Sequence, residues 1–251
     1  MTDEVDSVEL IFSTMRWNTP LSEAHAERLL AGLELGRART VLDLGCGWGE
    51  LLLRAVAAAR AGGSDCRGTG VDTDEALLAR GREAARARGL ADRVTFVRAD
   101  ASSWEGPPAE AALCVGASHA WGATADALRG LRRAVVPGGR LLYGDGVWAA
   151  APGETALEIF GDQVLTPEGL QHAVAASGWE TIEASSASQE EWDAFEASYR
   201  AGRERWAAEH PGDPRAATLA AEMRARREEY ESVYRGVLGF NYLVLRTPVS
   251  I

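Results

Sequence analysis

The residues best placed to do chemistry form a glycine-rich loop flanked by acids, Asp43-Leu-Gly-Cys-Gly-Trp-Gly-Glu50. Glycines between a strand and a helix let a ligand approach the backbone and expose amides at a helix N-terminus. The spacing is G-x-G-x-G, whereas the dinucleotide fingerprint G-x-G-x-x-G needs glycine where this chain has Glu50. Because Asp43 and Glu50 are both negative, we expect the loop to suit a cationic ligand better than a phosphate.

Short apolar runs alternate with helical patterns on both sides of this loop. We predict strands at 40–44, 68–71, 94–98 and 111–115, and a fifth from residue 140 after a Pro137-Gly-Gly139 turn. We predict helices at 22–35, with Gly36 as its stop, and at 50–60, 75–89 and 124–136. This alternation predicts βαβ units and a parallel sheet with helices on both faces.

The C-terminal part has a different pattern. We predict a helix from Pro167 to about residue 177, a strand at 179–187 and a final strand at 239–246. Between these last two strands, Ser188-Gln-Glu-Glu191 fits a capping box and opens roughly fifty helical residues. Aromatic residues recur on one face of this segment, at Trp192, Phe195, Tyr199 and Trp206. We therefore predict an appended helical cap, with packing as the favoured role of its aromatic stripe.

The glycine loop resembles that of class I S-adenosylmethionine-dependent methyltransferases of the small-molecule type. Three more segments match in order: Val71-Asp72, Asp100-Ala101 and Pro137-Gly-Gly-Arg-Leu-Leu142. The resemblance covers about residues 41–148. The chain departs from the family's pattern in two places, a longer stretch before the second strand, at 61–68, and the helical insertion. It implies an α/β, doubly wound, Rossmann-like fold. Its seven-stranded sheet is mostly parallel, with an antiparallel last strand and a helical cap inserted near the C-terminus.

The resemblance also implies domain boundaries and a cofactor. Residues 1–39 would form an N-terminal helical segment or lid, 40–187 and 237–251 the cofactor domain, and 188–236 the cap. The cofactor would be S-adenosyl-L-methionine, with S-adenosyl-L-homocysteine as its product. Asp43 would orient the methionyl part of the cofactor. Asp72 would accept hydrogen bonds from the ribose hydroxyls, and Asp100 would accept one from the adenine amino group. The implied cofactor-binding residues are Asp43, Gly45, Cys46, Gly47, Asp72, Thr73, Asp100, Ala101, Gly116 and Ala117. Any one of these acids could instead cap a helix or lie in a solvated loop.

Candidate acceptor residues follow the fourth and fifth strands, at the edge where doubly wound sheets place reactive groups. His119 is the candidate general base, and a loop histidine bonded to backbone is the alternative. The candidate substrate-binding residues are Trp17, Asn18, Trp121, Asp145 and Trp148. Tryptophans can stack on a planar acceptor, although packing is commoner, and Asp145 could equally be a turn residue.

Composition limits the partners. Lys+Arg 26 against Asp+Glu 37 gives a net charge of −11, which disfavours nucleic acid. No apolar run approaches the ~20 residues of a membrane span, and the acidic start at 1–9 lacks the basic region of a signal peptide. Three scattered cysteines indicate a reduced, cytoplasmic chain. We expect no metal, no nucleic acid and no membrane as partners, and either a monomer or a homodimer.

These observations predict a methyltransferase that acts on N or O of a small-molecule acceptor. A planar heteroaromatic or phenolic metabolite is one candidate acceptor. Two other functions remain open at this point. One is a non-catalytic S-adenosylmethionine-binding protein. The other is a nicotinamide-dependent oxidoreductase, which Asp43 and Glu50 disfavour.

Overall fold

The computed structural model describes residues 12–248. The acidic start at 1–9 therefore lies outside the described residues. The strands are β1 (Thr40–Leu44), β2 (Arg67–Asp72), β3 (Val94–Arg98), β4 (Ala109–Val115), β5 (Val135–Trp148), β6 (Glu180–Ser186) and β7 (Leu238–Arg246). The α-helices are α1 (Glu23–Gly32), α2 (Glu50–Ala61), α3 (Glu75–Ala87), α4 (Thr124–Leu131), α5 (Glu154–Phe160), α6 (Pro167–Ala176), α7 (Gln189–Glu209) and α8 (Pro214–Glu229).

All seven strands belong to one sheet in the order β3-β2-β1-β4-β5-β7-β6. Neighbouring strands from β3 to β5 pair in parallel, and β6 pairs with β7 antiparallel. Six parallel strands and an antiparallel last strand confirm the predicted doubly wound fold. The order turns outward in both directions from β1 and β4, so the carboxyl ends of these two strands lie at the topological switch point.

Continuous burial explains why the central strands are apolar on both faces. Residues 111–114 of β4 are all 0% exposed. On β2, the glycines bring α2 close to the sheet. A Cβ at Gly68 would lie 2.7 Å from Val56 and 2.9 Å from Leu52, both on α2. The glycines of β2 are thus packing residues, separate from those of the loop.

The chain divides into two compact units. The first, here the sheet unit, comprises residues 22–147, 165–186 and 240–248 of the described chain. The second, here the helical unit, comprises 12–21, 148–164 and 187–239. The capping box at Ser188 and Glu191 is present and opens α7. A small apolar cluster in the helical unit contains Trp206, Ala207, Ala216 and Leu219.

Two predicted helices extend three or more residues beyond their observed ends. The first ends at Gly32, not at residue 35, and Gly36 lies inside a short 3₁₀ turn instead of stopping the helix. Glu34 adopts a left-handed conformation with φ 52°, which breaks the helix before that turn. The helix predicted at 124–136 ends at Leu131. Pairing with β4 takes Val135 into the sheet, a tertiary contact that helical periodicity does not report.

The predicted Pro137-Gly-Gly turn lies within β5 as an irregularity. Ala109 pairs with Val135, while Ala111, two residues later, pairs with Arg140. The extra residues of β5 between these pairs form a bulge, a position where proline is tolerated in a strand. Thr247 closes the bulge, because its backbone N–H donates to the Gly139 carbonyl at 3.0 Å.

Candidate active site

The glycine loop leaves β1 in a left-handed conformation that only glycine adopts readily. Gly45 and Gly47 have φ values of 80° and 53°. A Cβ at Gly45 would lie 2.2 Å from the Cβ of Ala117, so the loop after β4 packs directly on this residue. No atom lies within 4 Å of a Cβ built at Gly47, so this part of the loop has room for a ligand.

Asp72, at the end of β2, is held against the glycine loop. Its Oδ2 accepts from the Gly47 amide at 2.8 Å, and its Oδ1 accepts from the Asp74 amide at 3.0 Å. The loop is tied to the same strand end, since the Gly45 and Cys46 amides both donate to the Val71 carbonyl. A carboxylate oriented in this way keeps further lone pairs for a ligand.

Asp43 is a buried carboxylate without a compensating charge. It is 5% exposed, and among residues 12–248 no hydrogen-bond donor or cation engages its side chain. Burial, and secondarily the charge of Asp72, raises the pKa of Asp43 to about 8. A cationic ligand group would supply the missing partner, as the loop sequence leads us to expect.

Asp100 follows β3 and caps a 3₁₀ turn. Its Oδ1 accepts from the backbone amide and the hydroxyl of Ser102 at 2.8 and 2.7 Å. These hydrogen bonds lower the pKa of Asp100. Ala101 is buried in the core beside it. Asp100 therefore does cap a turn, the alternative role considered for it from the sequence. Its carboxylate is exposed, and Oδ2 remains available to a ligand. Thr73, the other predicted residue of this edge, is exposed.

The loop after β4 joins the same edge. The Gly116 amide donates to the Gly144 carbonyl of β5 at 2.8 Å, and Ala117 is buried against Gly45. His119 lies in the 3₁₀ turn Ser118–Trp121 and is exposed. Within the described residues, no side-chain hydrogen bond or ion pair engages its ring. Its imidazole is therefore available to a substrate, unlike a histidine bonded to backbone.

The predicted acceptor residues have different surroundings. Trp121 is half-buried against Gly130, where a Cβ would lie 2.5 Å from the indole Nε1, and it lines a cavity of about 30 Å³. Asp145 accepts hydroxyl hydrogen bonds from Tyr143 at 2.7 Å and Thr124 at 2.9 Å. Trp17, Asn18 and Trp148 belong to the helical unit. Asn18 is exposed, Trp17 is half-buried, and Trp148 is buried in a T-shaped contact with Phe160, 6.1 Å between ring centroids.

Sequence reasoning missed the anchor of the α2 N-terminus. The Glu50 carboxylate accepts from Arg54 at 2.7 Å and from Arg88 at 2.5 Å, and Arg54 also pairs with Glu23. Glu50 is therefore engaged by arginines of α2 and of the C-cap of α3. The i,i+4 spacing of Glu50 and Arg54 could have predicted their ion pair. Arg88 is too distant in sequence for its contact with Glu50 to be predicted. Burial and the nearby acids raise the pKa of Cys46, which disfavours its thiolate.

Residues 12–248 contain neither a cluster of metal-ligating side chains nor a membrane-spanning helix. No group of three or more His, Cys, Asp or Glu side chains could hold a metal ion there. No helix in that range is long and apolar enough to cross a membrane.

Comparison with known proteins identifies the family. A family model described as a methyltransferase domain matches residues 41–139. The uncharacterized protein YjhP of Escherichia coli (strain K12) is 30% identical over 239 residues, covering 93% of this chain and 94% of YjhP. A SAM-dependent methyltransferase of Geobacter sulfurreducens, solved with S-adenosyl-L-homocysteine, is 30% identical with a TM-score of 0.84, covering 94% of this chain and 96% of that chain. The chain belongs to the class I S-adenosylmethionine-dependent methyltransferases.

A second solved methyltransferase of the family, from Thiobacillus denitrificans, was also determined with S-adenosyl-L-homocysteine. It is 27% identical with a TM-score of 0.83, covering 94% of this chain and 96% of that chain. The cofactor of this methyltransferase is accordingly S-adenosylmethionine, and its product is S-adenosylhomocysteine. The residues present fit this group, because Asp43 lacks a cation, Gly47 has open space and Asp72 presents an oriented carboxylate.

Proposed function

We propose that this methyltransferase transfers a methyl group to a nitrogen or oxygen of a small-molecule acceptor. The observation that carries the proposal is the unengaged His119 on the loop that packs against the cofactor loop through Ala117 and Gly45. S-adenosylmethionine supplies an electrophilic methyl group bound to a sulfonium sulfur. The chain's own contribution is to bind, to align the acceptor and to remove a proton where the acceptor carries one. Alignment alone can be worth about 7–11 kcal/mol.

The acids and the glycine loop of the cofactor site have proposed roles. Asp43 neutralises the positive charge of the methionyl end, and the Gly45-to-Gly47 backbone lies against it. Asp72 accepts the ribose hydroxyls with the lone pairs left by its two amide donors. Asp100 accepts from the adenine amino group, beside the Ala101 amide. The remaining residues of the proposed site are Cys46, Thr73, Gly116 and Ala117.

His119 is the proposed general base. A neutral imidazole can accept the proton of a phenol or an amine-like acceptor. General-base catalysis of this kind contributes about 10²–10⁴ in rate. Exposure of His119 and the absence of a partner in the described residues support this role.

We propose a planar heteroaromatic or phenolic metabolite as the acceptor class. The negative charge of the chain disfavours nucleic acid, and the Asn/Asp-Pro-Pro-Tyr/Phe motif of many amino-methylating enzymes is absent from the sequence. Trp17, Asn18, Trp121, Asp145 and Trp148 are the proposed acceptor-binding residues. In this proposal the segment 1–39 contributes a lid and the segment 188–236 contributes a cap. The proposed enzyme is cytoplasmic and is either a monomer or a homodimer.

The test is an assay of S-adenosylhomocysteine release with a panel of phenols and aromatic heterocyclic amines. With an active acceptor, His119→Asn should lower kcat by about 10²–10⁴ and leave cofactor affinity unchanged. His172→Asn is a matched control, because His172 is also exposed in the sheet unit. An unchanged kcat in His119→Asn would refute the base. Cofactor binding without product from any acceptor would instead favour a non-catalytic binding protein.

A further inference from the structure

Asp145 lies at the carboxyl edge of the sheet, one residue beyond the last pair between β4 and β5. The loop after β4 is tied to this part of β5 at both of its ends. At its start, the Gly116 amide donates to the Gly144 carbonyl at 2.8 Å. At its end, where α4 begins, the Thr124 hydroxyl donates to Asp145 Oδ2 at 2.9 Å. The 3₁₀ turn that carries His119 belongs to this loop and packs against α4, so Asp145 and His119 lie at the same part of the edge.

Three donors hold the carboxylate of Asp145 in one orientation. Oδ2 accepts from the Tyr143 hydroxyl at 2.7 Å as well as from Thr124, and Oδ1 accepts from the Gly146 amide at 3.0 Å. Tyr143 is 0% exposed, so the packed core fixes the position of its ring. Asp145 itself is half-buried, and its Oδ1 has a further lone pair. The carboxylate is therefore oriented by the protein and can still accept a hydrogen bond from a ligand.

The carboxyl groups at this edge have no cationic partner. Among residues 12–248, no arginine or histidine nitrogen lies within 4.0 Å of the side-chain oxygens of Asp43, Asp72, Asp100 or Asp145. The sequence contains no lysine. A phenolate or a carboxylate is repelled by such an edge, whereas an ammonium group is attracted to it. The charges of the edge therefore favour a cationic acceptor.

We propose that the methyl acceptor is an amine and that Asp145 binds its reacting nitrogen. This inference rests on the proposed methyl transfer and narrows the accepting atom from nitrogen or oxygen to nitrogen. The amine binds as an ammonium ion and donates to the remaining lone pair of Asp145 Oδ1. His119 takes one proton from it, and the neutral nitrogen attacks the methyl group of S-adenosylmethionine. One N–C bond forms and the S–C bond breaks, with its electron pair left on sulfur.

The carboxylate of Asp145 affects amine and phenol acceptors in opposite ways. In methylation of an amine, positive charge moves from the sulfur to the acceptor nitrogen, where Asp145 stabilises it. A phenol has to lose its proton to become a good nucleophile, and the resulting phenolate would lie against the same carboxylate. Asp145 therefore lowers the barrier for an amine and raises it for a phenol.

The first experiment compares matched acceptors with the full-length wild-type protein. Release of S-adenosylhomocysteine and the mass of the product are measured with benzylamine and tryptamine, and with 4-methylphenol and 5-hydroxyindole as phenols of similar size. We expect at least one amine to react with a kcat/KM at least tenfold above that of its phenol. Products from the phenols alone, or equal kcat/KM values, would overturn this inference and leave the proposed function standing. No product from any acceptor would count against the proposed function, and this inference would fall with it.

Variants test whether the preference for amines depends on Asp145. Asp145→Asn should lower kcat/KM for the active amine about tenfold to hundredfold, because a hydrogen bond to a charged group is lost, and it should leave the Kd of S-adenosylmethionine unchanged. Asp126→Asn is the matched control, since Asp126 is exposed on α4 and pairs with Arg129. Equal kcat/KM in the two variants would overturn the role of Asp145.

A third variant separates the charge of Asp145 from the packing around it. Tyr143→Phe keeps the carboxylate and removes one of its donors, so it should raise KM for the amine and retain the preference for amines over phenols. This variant also serves as the test if Asp145→Asn does not fold. Complete loss of the preference in Tyr143→Phe would assign the effect to the packing of β5 and overturn the proposal.

Discussion

Asp43 should make cofactor binding a proton-linked event. Burial raises the pKa of this carboxyl to about 8, so at pH 7 about 0.9 of the free protein carries a proton there. A cationic ligand group beside Asp43 favours its ionised form and lowers that pKa. Binding at pH 7 should therefore release about 0.9 proton.

The same rise in pKa gives the free energy that burial of the ionised Asp43 side chain costs the ligand-free protein. Raising the pKa of this carboxyl from its ordinary value of 3.8 to about 8 costs about 6 kcal/mol, since a tenfold change in proton affinity is about 1.36 kcal/mol. The pKa is higher in the folded state, so the stability associated with this group is full below pH 3.8 and is lost as pH rises through 8. At pH 7 the loss is about 4 kcal/mol, and Asp43→Asn should recover up to that amount.

Calorimetric titration with S-adenosylmethionine in two buffers of different ionisation enthalpy measures the released protons. The ligand's own α-amino group titrates at about 7.7–8.0, so the series belongs between pH 5.5 and 7. Over that range the binding constant should rise about tenfold per pH unit. If S-adenosylhomocysteine also causes proton release, the partner of Asp43 is the ligand's α-amino group. If only S-adenosylmethionine causes proton release, the partner is the sulfonium.

Asp43→Asn is the control, and it should bind without this proton release. Two results would refute the reasoning. One is a proton release near zero in the wild type at pH 6–7. The other is the same release in wild type and Asp43→Asn, which would place the titrating group elsewhere.

Three further predictions test the geometry. Asp72→Asn should weaken S-adenosylmethionine binding about tenfold to hundredfold, measured by calorimetry, because hydrogen bonds to a charged group are lost; unchanged affinity would contradict the ribose role. Gly45→Ala should lower the free energy of unfolding by more than 1 kcal/mol, since its Cβ would lie 2.2 Å from that of Ala117, whereas Gly63→Ala, also at positive φ but with open space, gives the backbone cost alone. Equal effects in denaturant titrations would refute the close contact. Glu196→Gln should cost about 3–5 kcal/mol in the same assay, because it removes the buried charge that pairs with Arg226; a loss under 1 kcal/mol would contradict this.

The parts of the sheet unit that could be predicted are specified by short local signals. Strands β1 and β3 have the bounds predicted from their apolar runs. Gly45 directly follows β1, and Asp100 comes two residues after the end of β3, so each strand leads into a residue that supplies ligand-binding groups at one edge. The fold and the cofactor loop could be predicted from the sequence because the same few residues determine both.

The parts that could not be predicted depend on contacts between distant residues. Helix α5 is one example, since only Ala156 among its seven residues is buried and no apolar periodicity marks it. The premature end of α4 depends on pairing of Val135 with β4. The buried Glu196 of α7 is another, because a run rich in Glu and Arg predicts a solvated face, whereas in the structure Arg226 of α8 pairs with this carboxylate.

Asp43 departs from the normal rules of burial, because it is a buried carboxyl group that lacks a cationic partner among the described residues. The buried carboxylate of Glu196 follows those rules, since Arg226 and the Tyr234 hydroxyl both donate hydrogen bonds to it. A buried group left uncompensated lowers stability, and such departures concentrate where a ligand restores the balance. Asp43 therefore specifies a cationic ligand group, and this can be tested independently of the acceptor's identity.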